Sequence, residues 1–179
     1  MIPEILIILA LVLVNGILAG SEIALVSVRK TRIDQLVNER RGGAEAVKDL
    51  RKNPERFLAT VQIGITVIGA TAGAFGGSSF AQRLRPLLEP LPFVGPERAD
   101  DLALAIVIGI VSYLSLVLGE LVPKSLALRA GERYALVISR PLLALSWLTR
   151  PLVWLLTASS NVVLRVFDDR TNFPEARLS

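Results

Sequence analysis

The chain has 179 residues, 52% of them hydrophobic, and a formal net charge of +4. This apolar content is high for a soluble domain, and most of it lies in three long segments. Cysteine and histidine are absent, which excludes disulfides, zinc sites built on these residues and the usual general base of enzymes. We therefore expect an integral membrane protein that is not an enzyme, in which any bound metal is a hard cation held by oxygen atoms.

The first segment predicts a membrane-spanning helix over about 4–28. Residues 5–21 carry no charge, and the apolar character resumes after Glu22. A spanning helix needs about 20 mostly apolar residues, which this segment supplies. A cleaved signal peptide is the alternative, but no Lys or Arg precedes the segment and it is too long.

The region 29–56 is charged and helix-prone, with nine Lys or Arg against five acids. It predicts two short amphipathic helices within about 31–52, separated by the pair Gly42-Gly43. Asn53 and Pro54 then form a typical helix start.

The second span is predicted over about 57–82, a stretch without charge. Gly69, Gly73 and Gly77 recur at every fourth residue, the spacing that allows helix backbones to approach closely. Packing within the chain and a dimer contact both remain possible for this glycine ridge. The proline-rich connection 83–101 follows, with three basic residues against four acids.

The third span is predicted over about 102–122, where Glu120 is the only charge. Pro123 follows it and cannot bond to the carbonyl of Gly119, so we predict a helix break that frees this carbonyl beside the Glu120 carboxylate. Lys124 lies one turn beyond Glu120, where an ion pair is the simple alternative to a cation site.

The region 132–167 is apolar but interrupted by Arg140-Pro141 and Arg150-Pro151. It predicts juxtamembrane helices in the headgroup layer, with a fourth, kinked span as the alternative. Residues 169–179 are expected to be a linker.

The distribution of charge predicts the orientation in the membrane. Excess positive charge in 29–56 and after Lys124 assigns these regions to the cytoplasm, with the N-terminus and 83–101 outside. The basic balance thus indicates contact with the lipid bilayer and no binding of nucleic acid.

Ionisable and polar groups within membrane spans are costly and usually mark a site. Each predicted span contributes oxygen-bearing side chains or glycines with accessible carbonyls. The candidates are Asn15, Ser21, Glu22, Gln62, Thr66, Ser112, Ser115, Gly119 and Glu120. Their chemistry favours a hard-cation site between three helices, and a purely structural polar cluster is the alternative.

Three stretches in this order, "NGILAGSEIALVSVRKTRIDQL", "RFLATVQIGITVIGATAGAFGG" and "GELVPKSLALRAGERYALVISRPL", closely resemble the transmembrane domain of the CNNM/CorC (cyclin M-like) magnesium transporters. The resemblance covers essentially the whole chain. It implies an all-α homodimer with three transmembrane helices over residues 1–168 and cytoplasmic juxtamembrane helices. It also implies an ATP-binding CBS pair, which is absent from this chain and would follow the linker.

The resemblance implies a magnesium site lined by matching positions of three motifs. These positions are Ser21, Glu22, Gly64, Thr66, Gly119 and Glu120. Asn15, Gln62 and Ser115 are expected to act from outside the direct ligand set. Ala19 departs from the family, since many relatives carry serine there, so one possible ligand oxygen is missing.

The function implied by the resemblance is export of Mg²⁺ from the cytosol across the plasma membrane, driven by entry of Na⁺. Two alternatives remain: a magnesium-responsive scaffold or sensor that transports nothing, and a cation channel without ion coupling. The coupling ion and the direction of transport follow from the resemblance alone.

Overall fold

The computed structural model describes residues 2–90 and 95–164, except for the side chains of Ser78, Pro96 and Glu97. The described chain contains no strand; it consists of seven α-helices and one π-helical turn. In chain order these are α1 (Ile2–Ser27), α2 (Lys30–Asn38), α3 (Ala44–Lys52), α4 (Pro54–Leu88), α5 (Pro96–Leu116), the π turn (Val117–Leu121), α6 (Val122–Leu148) and α7 (Arg150–Leu164).

Three helical stretches of the described chain are long and apolar enough to cross a membrane: Ile2–Ser27, Pro54–Leu88 and Arg98–Leu148. The prediction of an all-α fold with three such helices is confirmed. The helices α4 and α5 begin before the predicted spans, and α4 continues to Leu88 with Pro86 inside it, so the helical backbone extends past the apolar stretches into their charged flanks. Residues 91–94 of the expected external connection, and the expected linker 169–179, lie outside the described residues.

The chain divides into two compact units, each composed of two separate stretches of sequence. The first contains residues up to Gly20 together with Gly64–Leu126. Its core is the buried cluster of Ala72, Val107 and Val111, against which partly buried apolar side chains pack from α1 and α4. Many large apolar side chains of α1 and α5 are exposed instead, as expected for helix faces that contact lipid.

The second unit contains Ser21–Ile63 and the chain from Ala127 onward. Its buried residues come from the end of α1, from α2 and α3, from the start of α4, and from α6 and α7; they include Leu25, Ile33, Val47 and Leu142. The Lys48 ammonium lies 2.9 Å from Asp34, joins α3 to α2, and by its hydrogen bond lowers the pKa of the Asp34 carboxyl.

The helices α2 and α3 are separated at Gly42-Gly43, the position where the sequence predicts a break. The end of α2 is closed by Arg40, which has a left-handed φ of 54°, and by a hydrogen bond from the Arg41 amide to the Leu36 carbonyl. Gly43 has a φ of 88° and immediately precedes α3.

The helix α6 is kinked at Ala130, whose backbone angles (φ −122°, ψ 28°) are not helical. Arg32 on α2 donates two hydrogen bonds to Glu132, of 2.8 and 2.9 Å, just beyond the kink. The region predicted as juxtamembrane helices, or alternatively as a fourth span, consists of the remainder of α6 and the 15-residue helix α7. The latter is too short to cross a bilayer, and within 2–90 and 95–164 no fourth helical stretch is both long and apolar enough to do so, with α5, the π turn and α6 counted as one stretch.

Candidate cation site

The candidate site in the first unit is built on the π turn that carries Glu120. Because Pro123 has no amide N–H, it cannot continue the α-helical ladder back to Gly119. The amide of Val122 instead donates to the carbonyl of Val117, five residues earlier, so the helix widens by one residue. The predicted break at Pro123 is therefore corrected: the chain stays helical through this position, and the irregularity takes the form of a π turn.

The helix α1 lies directly against this π turn, and two glycines permit the approach. A Cβ atom on Gly16 would lie 2.8 Å from Cγ of Pro123, closer than real side chains come. A Cβ on Gly119 would lie 3.2 Å from the Asn15 amide nitrogen and 3.3 Å from the Val12 carbonyl. The absence of side chains at these two positions thus brings the backbones of α1 and the π turn together.

Asn15 joins the two helices by a hydrogen bond. Its Nδ2 donates to the Gly119 carbonyl over 3.1 Å, and the side chain is buried. Its Oδ1 is also buried and accepts no hydrogen bond from the described residues. A buried carbonyl oxygen without a donor is costly, and both this oxygen and that of Gly119 keep a lone pair that can accept a cation.

Glu120 directly follows Gly119 in sequence, and its carboxylate accepts a hydrogen bond of 2.7 Å from the Lys124 ammonium. Both side chains are partly exposed, 34% for Glu120 and 27% for Lys124. The ion pair between Glu120 and Lys124, which the sequence analysis gave as the alternative to a cation site, is present. It does not test the cation assignment, because a carboxylate has several acceptor positions.

The structure places the other predicted ligand positions as follows. Within the first unit, Gly64 faces the Leu18 side chain, Thr66 is exposed, and Ser115 is partly buried. Ser21, Glu22 and Gln62 belong to the second unit, where Ser21 is fully buried, Glu22 is partly buried and Gln62 is exposed. Of the predicted set, the described contacts join Asn15 to Gly119, and the assignment of the remaining residues stays a prediction.

The glycines of α4, which include the predicted ridge and the neighbouring Gly76, differ in whether they face another helix. Cβ atoms on Gly76 and Gly77 would lie 2.9 Å from Val111 and 3.2 Å from Leu104 of α5, so these two glycines provide packing within the chain. Cβ atoms on Gly69 and Gly73 would meet no described atom within 4 Å. Gly69 and Gly73 therefore do not pack against the described part of the chain, and their role in assembly stays a prediction.

Sequence reasoning missed Gly16 as a residue of this helix contact, and the prediction that Asn15 acts from outside the direct ligand set stays a prediction. The signal that points to both is the pair Asn15-Gly16 inside an otherwise apolar span, since a small residue beside a polar one is typical of a close helix contact. Among the described residues there is no group of three or more His, Cys, Asp or Glu that could hold a metal.

The chain is similar over nearly its whole length to several bacterial proteins. It is 44% identical over 164 residues to a UPF0053 protein of Synechocystis sp., covering 92% of this chain and 36% of that protein. It is 31% identical over 167 residues to the UPF0053 protein YhdT of Bacillus subtilis, with 93% and 36% coverage.

A third relative carries a name that states a transport activity. The polyamine export protein of Escherichia coli is 28% identical over 167 residues, covering 93% of this chain and 37% of that protein. The chain thus spans little more than a third of the length of these relatives.

The family model described as "Cyclin M transmembrane N-terminal domain" matches residues 6–178. This match includes nearly all of the three candidate spans, the π turn and the contact between Asn15 and Gly119. The resemblance found in the sequence motifs is confirmed, and the chain belongs to the CNNM transmembrane domain family of multi-pass membrane proteins.

Proposed function

We propose that this chain is the membrane domain of a transporter that exports Mg²⁺ from the cytosol, with Na⁺ as the coupling ion. The observation that carries the proposal is the arrangement at the π turn. Buried Asn15 and Gly119, joined by a hydrogen bond, offer two carbonyl oxygens, and the carboxylate of Glu120 belongs to the residue that follows Gly119. Magnesium is a hard cation that prefers oxygen ligands and usually retains several of its waters.

The proposed role of Glu120 is to supply the negative charge of the site. A cation that leaves water for the membrane interior must gain full negative charge as well as neutral oxygens, because desolvation of an ion is expensive. The Lys124 ammonium occupies one of the several acceptor positions of this carboxylate, and we propose that Mg²⁺ displaces it from that position. We propose that this exchange couples cation binding to a rearrangement at the start of α6.

Substitution of Glu120 by Gln tests this role, since it keeps the shape of the side chain and removes only its charge. We expect the Glu120→Gln variant to fold, to lose most of its Mg²⁺ affinity in calorimetric titration, and to show no Mg²⁺ flux in sealed vesicles. Glu89→Gln is the matched control, because Glu89 is exposed near the far end of α4. Unchanged Mg²⁺ affinity in a folded Glu120→Gln protein would refute the assignment and make Glu22 the next residue to test.

The same vesicles separate the transporter from its alternatives. A sodium-coupled exporter moves Mg²⁺ only when a Na⁺ gradient of the right direction is imposed. A channel gives Mg²⁺ flux that is indifferent to Na⁺, and a scaffold or sensor gives no flux under either condition.

Export of a polyamine is a second candidate, and one contact favours it. The Glu120 carboxylate accepts a hydrogen bond from the primary ammonium of Lys124, the same chemical group that ends a polyamine. A relative of this chain is named as a polyamine export protein. Uptake of radiolabelled putrescine into inside-out vesicles, measured against Mg²⁺ uptake in the same preparation, decides between the two cargoes.

The proposed orientation rests on the charge distribution. The helices α2 and α3 lie in the region with nine basic residues, which by the positive-inside rule faces the cytoplasm. We propose that the chain acts as a homodimer in the plasma membrane, with the N-terminus outside and the chain beyond α6 inside. Regulation by an ATP-binding CBS pair is a proposal for the longer proteins of the family.

A further inference from the structure

A pocket of about 310 Å³ lies within the second unit, far along the sequence from the π turn. It is lined by residues of α3, the start of α4, the end of α6 and the first residue of α7. Two of these residues are arginines, Arg56 and Arg150. None of the residues predicted for the cation site lines this pocket.

The two arginines bring uncompensated positive charge to the pocket. Arg56 donates a hydrogen bond of 3.0 Å to the carbonyl of Ser146, which fixes its guanidinium at the pocket wall. Arg150 lines the same pocket, so two guanidinium groups of like charge share this small volume. Such a pair is stabilised when an anion lies between its members.

The acidic residues around the pocket do not neutralise this pair. Asp49 is the only acid in the described pocket lining, and it already accepts a hydrogen bond of 2.6 Å from Lys52. Across the described chain, no carboxylate lies within ion-pair distance of Arg56 or Arg150. The pocket therefore attracts an anion from outside the chain.

A second, larger pocket of about 510 Å³ extends the positive surface. It shares Asp49 and Leu143 with the first pocket and adds Arg40, Arg41 and Arg140 to its lining. Over both linings there are five arginines and two acids, Asp49 and Glu45, so the lining of the two adjoining pockets carries a net positive charge.

The rim of the first pocket is apolar and aromatic. Trp147 lines the pocket and is 70% exposed, and Trp154 on the following helix is 71% exposed. Exposed tryptophans are enriched where a membrane protein meets the boundary between lipid and water. Arginine charge beside exposed tryptophan thus indicates a position at the depth of lipid headgroups, on the side that the charge pattern assigns to the cytoplasm.

We propose that this pocket binds the phosphate of an anionic phospholipid headgroup. Arginine guanidiniums bind phosphate oxygens through paired hydrogen bonds, and basic pockets of membrane proteins on the cytoplasmic side accept anionic headgroups. A membrane phospholipid is favoured over a soluble phosphate because the tryptophans beside the arginines provide a surface for the acyl chains. The proposal is independent of which cation the π turn binds.

The two tryptophans of the chain supply the probe. A Trp154→Phe variant leaves Trp147 as the single fluorophore, and brominated lipids quench a tryptophan only when they contact it. In vesicles that contain brominated phosphatidylglycerol or brominated phosphatidylcholine, we expect Trp147 to associate preferentially with phosphatidylglycerol. The ratio of the two association constants should fall roughly fivefold on loss of one arginine.

Arg150→Gln is the main test: the Arg150 side chain is exposed and makes no hydrogen bond to the described residues, so we expect its loss to leave the fold intact. Arg56→Gln tests the partner. Arg129→Gln is the matched control, since Arg129 is exposed on α6 and lines neither pocket.

Loss of the lipid preference in Arg150→Gln, with full preference in Arg129→Gln, supports the proposal. Three results would overturn it. The first is equal quenching of Trp147 by both lipids, and the second is the same decrease in the control variant, which indicates diffuse surface charge only. The third is a preference abolished by millimolar inorganic phosphate, which assigns the pocket to a soluble anion.

Discussion

At the scale of single residues, the approach of α1 to the π turn depends on the missing side chain of Gly16. A methyl group here would lie 2.8 Å from the ring of Pro123, and neither the proline ring nor the adjoining helix backbone can move far. The position of the Asn15 amide on the Gly119 carbonyl follows from the same contact. Residue 16 therefore controls the geometry of the candidate site without offering a ligand.

We predict that Gly16→Ala destabilises the protein by about 1–3 kcal/mol, the usual cost of overpacking a helix contact. The measurement is the midpoint of unfolding in detergent solution, followed by circular dichroism. Gly109→Ala is the control, because a Cβ on Gly109 meets no described atom within 4 Å and alanine is the better helix former. Equal stability of the two variants would show that this contact is unimportant for the fold.

At the scale of elements, the α2–α3 pair is held on α6 at Gly43. Ser139 of α6 donates a hydrogen bond of 3.0 Å to the Gly43 carbonyl, and a Cβ on Gly43 would overlap the Leu136 carbonyl oxygen. The left-handed φ of Gly43 adds a second requirement for glycine. Both requirements act at the turn that joins the two short helices.

We expect Gly43→Ala to destabilise the second unit by about 2–5 kcal/mol, the sum of left-handed backbone strain and overpacking. Gly42→Ala, one residue earlier, should change stability by no more than about 0.5 kcal/mol, because a Cβ there meets nothing within 4 Å. Hydrogen exchange of the α2 and α3 amides, read by mass spectrometry, localises the effect. Similar exchange in the two variants would show that the turn does not hold the pair in place.

At the scale of the whole molecule, two glycines of the ridge are candidates for a contact between copies of the chain, because they have no partner among the described residues. Gly69 and Gly73 lie on α4 with open space around them, four residues apart. The spacing suits contact with a helix of a second copy. This assignment belongs with the proposed homodimer.

We predict that Gly73→Leu leaves the folded chain as stable as before and lowers the fraction of dimer. Light scattering coupled to size-exclusion chromatography in detergent measures the mass of the assembly. Gly109→Leu is the control, because Gly109 is equally open but lies on α5. A Gly73→Leu protein that remains fully dimeric would remove the ridge from the interface.

The sequence by itself determined the fold class, the number of candidate spans and the family. Long uncharged segments can satisfy their backbone only as helices in a membrane, so composition alone decides their structure. The break at Gly42-Gly43 was also predictable from the local sequence, because glycine readily adopts the left-handed backbone conformation that such turns require. The motifs around Asn15, Gln62 and Glu120 were sufficient to identify the family from the sequence alone.

Only the tertiary structure decided how the helices use these residues. The sequence predicted that Pro123 would end a helix, but a missing hydrogen bond can be absorbed either by a break or by a wider turn. The contacts of α1 with Gly119 and Pro123 accompany the wider turn. Likewise, the equal spacing of three glycines could not show that Gly77 faces α5 while Gly73 faces open space. Which side of a helix meets a neighbour depends on residues distant in sequence, and no local pattern contains that information.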